Sequence, residues 1–155
     1  MPCRAILDSA SQLNLITSNL VENLQLKCSK ASSTICGIGD GSIKGNISVD
    51  VDVKSRHSGF SATFNSMVVP SITNYQPTIT FEPSEWKIPG NINLADPSFN
   101  KHCRIDLLIG AELFFDLMSI GQIKLTSHLP ILQKTQLEWV LSGGGLINHG
   151  LWQSQ

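Results

Sequence analysis

The sequence predicts a mainly β fold, a small closed barrel carrying one or two short helices. Three observations carry that reading. Ile47, Val49, Val51 and Val53 alternate with Ser48, Asp50, Asp52 and Lys54, the period of two of a half-exposed strand. Two strand-like runs, "SSTICGIG" and "SIKGNISVDVDVKS", flank a glycine-rich stretch as the arms of a hairpin would. Helical periodicity is confined to two short segments.

The elements follow in order. "CRAIL" is a short apolar run that ends at Asp8. "TSNLVENLQL" has room for two helical turns, with Asn19 as N-cap and Glu22 three residues later. After the hairpin, "FSATFNSMVVP" is a further strand that stops at Pro70. Residues 70–104 are rich in proline and asparagine and longer than most internal loops. They read as an irregular insertion with one short strand at "TITF". "RIDLLIGAELF" returns to a buried strand, and "GAELFFDLM" is the second helix, with Leu113, Phe114 and Leu117 on one face. "QLEWVLSGGG" is a last strand before a glycine stop. The chain therefore reads as one domain over residues 1–143 with a tail over 144–155.

Composition sets the limits on function. A 155-residue chain that is 41% hydrophobic and 15% charged can bury a core and lacks the balance of a disordered segment. A net charge of −1 supplies no field for nucleic acid or an acidic membrane surface. No apolar run approaches the roughly 20 residues of a membrane span. The start, "MPCRAILDSA", lacks the pattern of a signal peptide, so a cytoplasmic location is expected. Cys3, Cys28, Cys36 and Cys103 include no C-x-x-C pair and are expected as buried free thiols. His57, His102, His128 and His149 are scattered, and none stands four residues from another, so no metal or other cofactor is expected. "GIGDGSIKG" lacks the endings of a dinucleotide fingerprint and of a phosphate loop. G-x-S-x-G is missing, which argues against a serine nucleophile. Trp86, Trp139 and Trp152 read as core or dimer contacts rather than a stacking surface for bases.

The chemistry is expected at Asp8. An aspartate at the end of a buried strand, followed by Ser9 and Ala10, falls in a tight turn. An isolated Asp-Ser-Ala would ordinarily do no more than cap that turn. One carboxylate alone is a poor catalyst of peptide hydrolysis. Two held a few ångströms apart cannot both ionise easily and share one proton. One can then take a proton from water while the other gives one to the scissile carbonyl. No second Asp-Ser/Thr-Gly/Ala occurs: Asp40-Gly41, Asp96-Pro97, Asp106-Leu107 and Asp116-Leu117 do not fit. A two-fold homodimer would supply the second copy.

The order "AILDSASQ", "ICGIGDG", "IDLLIGAELF", with "LEWVLSG" near the end, resembles the retropepsin-type aspartic proteases, and more narrowly the protease segment of BEL/Pao-type retrotransposon polyproteins. The resemblance covers most of residues 3–143. It implies a closed barrel of the retropepsin type, an aspartic endopeptidase that cuts its parent polyprotein, and a homodimer acting on an extended peptide, within transposon-encoded particles and with no nucleic acid or membrane as partner. It makes Asp8 the catalytic aspartate. Ser9 would make a hydroxyl bond across the dimer, and Ala10 would take the usual glycine position. Ile109 and Gly110 would pack behind the catalytic loop. Cys36, Gly37, Ile38, Gly39, Asp40 and Gly41 would form the flap over the substrate, where glycines allow motion and close approach to a peptide backbone. In that family a leading strand or hairpin precedes the aspartate, whereas here seven residues do. The chain is therefore expected to be a piece of a longer polyprotein or a truncated product. The alternative is a catalytically inactive module of the same fold, kept for dimerisation or peptide binding.

Overall fold

The structure is a computed structural model that describes residues 1–36 and 42–143. It is mainly β, with two short helices. The chain divides into two compact units. The first comprises Met1–Val53, Ala62–Thr73 and Ile105–Asp116, and the second Lys54–Ser61, Asn74–Arg104 and the chain from Leu117 onward.

The first unit is built on a six-stranded sheet. Its strands are β1 (Ala5–Leu7), β2 (Leu15–Thr17), β3 (Cys28–Cys36), β4 (Ser42–Lys54), β5 (Ser61–Val69) and β6 (Leu107–Ile109), in the spatial order β1-β6-β2-β5-β4-β3. β1 lies parallel to β6 and β2 parallel to β5, while β2 and β6 are antiparallel. β6 is an apolar run with Leu107 and Ile109 fully buried, as a strand flanked on both sides requires. Val49 and Val51 of β4, and Phe64, Met67 and Val69 of β5, are buried beside Ile16 of β2. Each such side chain withdrawn from water contributes about 1.5–3 kcal/mol.

The polar face of the sheet is paired as well. Thr63 Oγ1 donates to Asp52 at 2.6 Å and Asn65 Nδ2 to Asp50 at 2.8 Å. The alternation expected from Ile47 onward begins two residues later, at Val49. Ile47 is 45% exposed while Ser48 is buried, next to the point where β3 carries an extra residue between Lys30 and Ser33. A bulge there increases the local twist and turns the face over.

Helix α1 (Ser18–Leu24) is capped by Thr17 rather than by Asn19: Thr17 Oγ1 accepts from the Leu20 amide at 3.4 Å. Thr17 is at once the last residue of β2, so its extended backbone puts the hydroxyl in the capping position. Asn19 is the second residue of the helix, where its side-chain oxygen accepts from Asn23 Nδ2. Helix α2 (Ala111–Leu117) has Leu113 and Phe114 half-buried and Leu117 buried, on the face expected, with Phe115 outward.

The second unit contains an antiparallel meander, β7 (Met118–Lys124), β8 (Ile131–Thr135) and β9 (Glu138–Ser142). The tight connection of β8 to β9 is closed by Thr135, whose buried hydroxyl donates to the Glu138 carbonyl and accepts from the Leu137 amide. The segment 74–104 contains no strand at "TITF". It is a loop stapled at its base by paired Gln76 and Cys103 backbones (2.8 and 3.1 Å) and further in by Asn100, whose Nδ2 donates to the Phe81 carbonyl at 2.7 Å. Phe81, Trp86 and Phe99 pack at 5.1–6.0 Å between ring centres around the 3-10 turn Ser84–Trp86. Aromatic burial and these bonds satisfy the segment without a sheet partner for Thr78–Phe81.

No closed barrel is found among the described residues. Closure needs the outermost strands to pair in a consistent stagger. Here β1, three residues long, has only β6 beside it, and the bulged β3 has only β4. No helix among the described residues is long and apolar enough to cross a membrane.

Candidate active site

Asp8 follows directly on β1, where Leu7 stands opposite Ile109 of β6. Its amide donates to the Ile109 carbonyl at 2.9 Å, so the chain is held to β6 for one residue beyond the strand. It then turns: the Ser11 amide reaches the Asp8 carbonyl at 3.3 Å and the Ala10 amide donates to Asp8 Oδ1 at 2.9 Å. The second carboxylate oxygen of Asp8 takes no hydrogen bond among the described residues. Asp8 is half-buried, and Ser9 and Ala10 are exposed. The Ser9 hydroxyl has no hydrogen-bond partner among the described residues.

Behind this turn lie Ile109, fully buried, and Gly110. A Cβ at position 110 would stand 2.6 Å from the Leu13 carbonyl oxygen and 2.7 Å from that of Ser11, a separation only glycine permits. The Ser11 carbonyl also accepts from the Ala111 amide at 2.7 Å, and the Ser11 hydroxyl donates to the Leu13 carbonyl. The turn from 8 to 11 is thus clamped against backbone 109–111 by bonds at both of its ends.

Sequence reasoning missed Asn14, which joins the same assembly. It is 3% exposed, and each polar atom of its amide is engaged. Oδ1 accepts from the Gly110 amide at 2.8 Å. Nδ2 donates to the Asn65 carbonyl at 3.1 Å and to Glu112 Oε2 at 3.0 Å. The one available signal was an amide interrupting the apolar run "LNLI". A buried polar side chain in such a run must find partners, but its partners lie as far as 98 residues away.

Cys36 is the last residue of β3 and stands opposite Ser42 in the antiparallel register of β3 with β4. The rest of the expected flap, Gly37, Ile38, Gly39, Asp40 and Gly41, lies outside the described residues, as do His149 and Trp152. Cys3, Cys28 and Cys103 are unpaired and exposed, not buried as expected, because each lies at a strand end or in a loop. The Cys3 thiol is nonetheless shielded in part from water. That shielding, and then the Asp106 carboxylate, hold it protonated above its ordinary 9.0.

No three His, Cys, Asp or Glu side chains gather as a metal site among the described residues. The second unit bears an open groove of about 630 Å³ lined by Pro83, Lys87, Pro89, Ile92, Leu94 and neighbours. None of its lining residues belongs to the aspartate turn. Comparison with protein-family models, with curated proteins and with solved structures returns no match.

Proposed function

We propose that the chain is an aspartic endopeptidase, the retropepsin-like protease segment of a BEL/Pao-type retrotransposon polyprotein, active as a homodimer. The observation that carries the reading is the setting of Asp8. It leaves β1, a part-exposed strand paired in parallel with the buried β6, in a turn bound to β6, half-exposed, with one carboxylate oxygen uncommitted within the described chain. Two such carboxylates across a two-fold axis would share a proton. The ionised one takes a proton from water as the water oxygen bonds to the scissile carbonyl carbon, and the protonated one gives its proton to the carbonyl oxygen. The tetrahedral species then collapses: the C–N bond breaks, the nitrogen receives a proton, and the pair returns to its singly ionised state. The Ser9 hydroxyl, without a hydrogen-bond partner among the described residues, would bond across the dimer. The glycine-rich residues 37–41 would cover an extended peptide held by strand-like hydrogen bonds.

A second reading, a non-catalytic module of the same fold, is favoured by one contact. The Ala10 amide on Asp8 Oδ1 is the bond an aspartate makes when it only caps a turn. Casein incubated at mildly acidic pH, with and without pepstatin, separates the two. The protease reading expects pepstatin-sensitive cleavage that drops at least about a hundredfold in Asp8→Asn. Cleavage that survives Asp8→Asn overturns it. No cleavage, with self-association intact, selects the module.

A further inference from the structure

The Ile109–Gly110 peptide group is hydrogen-bonded at both ends. Its carbonyl accepts from the Asp8 amide at 2.9 Å, and its N–H donates to Asn14 Oδ1 at 2.8 Å. A peptide group is a rigid plane, so fixing one end orients the other. Bonds chained through it also polarise one another. Asn14 is in turn held by the Asn65 carbonyl of β5 and by Glu112 of α2. We infer that Asn14 is a positioning residue for Asp8. It sets the tilt of the 109–110 peptide plane and, through that plane, the place of the aspartate turn. Among the described residues the Asn14 side chain bonds to Gly110, Asn65 and Glu112 and not to Asp8, so its effect is carried by the backbone. Nothing about the chain's local pattern required an amide here: an apolar side chain would fill the site but leave the Gly110 N–H buried and unpaired.

As a statement about catalysis this rests on the protease reading above, so its test has a readout that does not. Asn14→Asp keeps the acceptor for the Gly110 amide. It removes the second N–H donor, so the Asn65 carbonyl loses its partner, and it sets a second carboxyl group against Glu112, where the two must share one proton or repel. Glu112→Gln added to it restores a donor–acceptor pair of reversed sense. Hydrogen exchange at the Asp8 and Gly110 amides is followed by NMR in the parent chain, the single variant and the double variant. The single variant is expected to exchange at these two amides at least tenfold faster, with amides of β4 and β5 near the parent rate and recovery in the double variant. Where the parent cleaves casein, kcat in the single variant is expected to fall tenfold to a hundredfold, since misplacement by about an ångström costs that much. KM should change less than threefold, and the double variant should regain most of kcat. Uniform loss of protection across the sheet would make Asn14 a general stabiliser, and unchanged exchange at Asp8 would leave it with no hold on the turn. Either result overturns the inference. A parent chain that cleaves nothing defeats the protease reading alone, because the exchange data still decide the role of Asn14.

Discussion

A methyl group at position 110 has nowhere to go. Both atoms it would strike, the carbonyl oxygens of Ser11 and Leu13, are backbone, and each is engaged in a hydrogen bond that holds the aspartate turn. Gly110→Ala is therefore expected to destabilise the fold by about 1–3 kcal/mol, read as a lowered urea midpoint at unchanged slope. An unshifted midpoint would mean that the turn yields easily. Cys3 offers a different probe of the same region. Partial burial, with the Asp106 carboxylate second, favours its neutral thiol in the folded chain. A group whose folded value is raised contributes stability below its unfolded value, here the ordinary 9.0, and loses it as pH climbs through the raised value. With the other three cysteines replaced by serine, the pH midpoint for alkylation of Cys3 should lie above that of the denatured chain, and Asp106→Asn should bring it part of the way back. Coincident folded and denatured profiles would refute the assignment.

Among the elements, α1 makes the sharpest claim. Its N-cap is Thr17, buried, and not Asn19. Thr17→Ala should cost about 1 kcal/mol of stability and Asn19→Ala a few tenths at most, measured by thermal or urea unfolding. The reverse order would restore the capping assignment read from sequence. That assignment failed because a capping pattern of serine, threonine and asparagine is ambiguous by one or two residues, and the end of β2 decided among them. β4, β5 and β9 were legible because each carries its own alternation or apolar run. β2 and β6 are three residues long, too short to show a period, and β6 was found only because it is continuously apolar. β7 and β8 escaped notice. Gly121, with φ 141°, bulges β7 against the Trp139 ring and interrupts its pattern, and β8 has hardly any alternation. Asp8 stood out because a strand-ending aspartate before small residues is a local pattern. Asn14 did not, because its meaning lies in partners that the sequence does not place beside it.

At the scale of the molecule, the first unit is assembled from three separated stretches of chain. Its β1–β6 pair joins residues about a hundred positions apart. The closed barrel was expected from the count and rhythm of strands, but closure depends on pairings between the outermost strands that no local pattern encodes. Among its described residues, this unit presents one Asp-Ser-Ala turn. Asp50 and Asp52 are tied to Asn65 and Thr63, and Asp106 accepts from the Arg4 amide. None is bonded into the Asp8 turn. On the proposed protease reading, the second carboxylate would come from a second molecule. Specific activity should then fall on dilution through the dissociation range of the dimer. A sharper form of the test mixes parent chain with Asp8→Asn at fixed total concentration and lets the subunits exchange. A site shared between subunits is lost in every mixed dimer. An equal mixture therefore retains about a quarter of the parent rate, the share of dimers with two intact aspartates under random two-fold pairing. A site contained in one subunit retains half. Titrating the fraction of Asp8→Asn from none to nearly all distinguishes a squared from a linear decline without any knowledge of the natural substrate, and the linear result would remove the shared site from consideration.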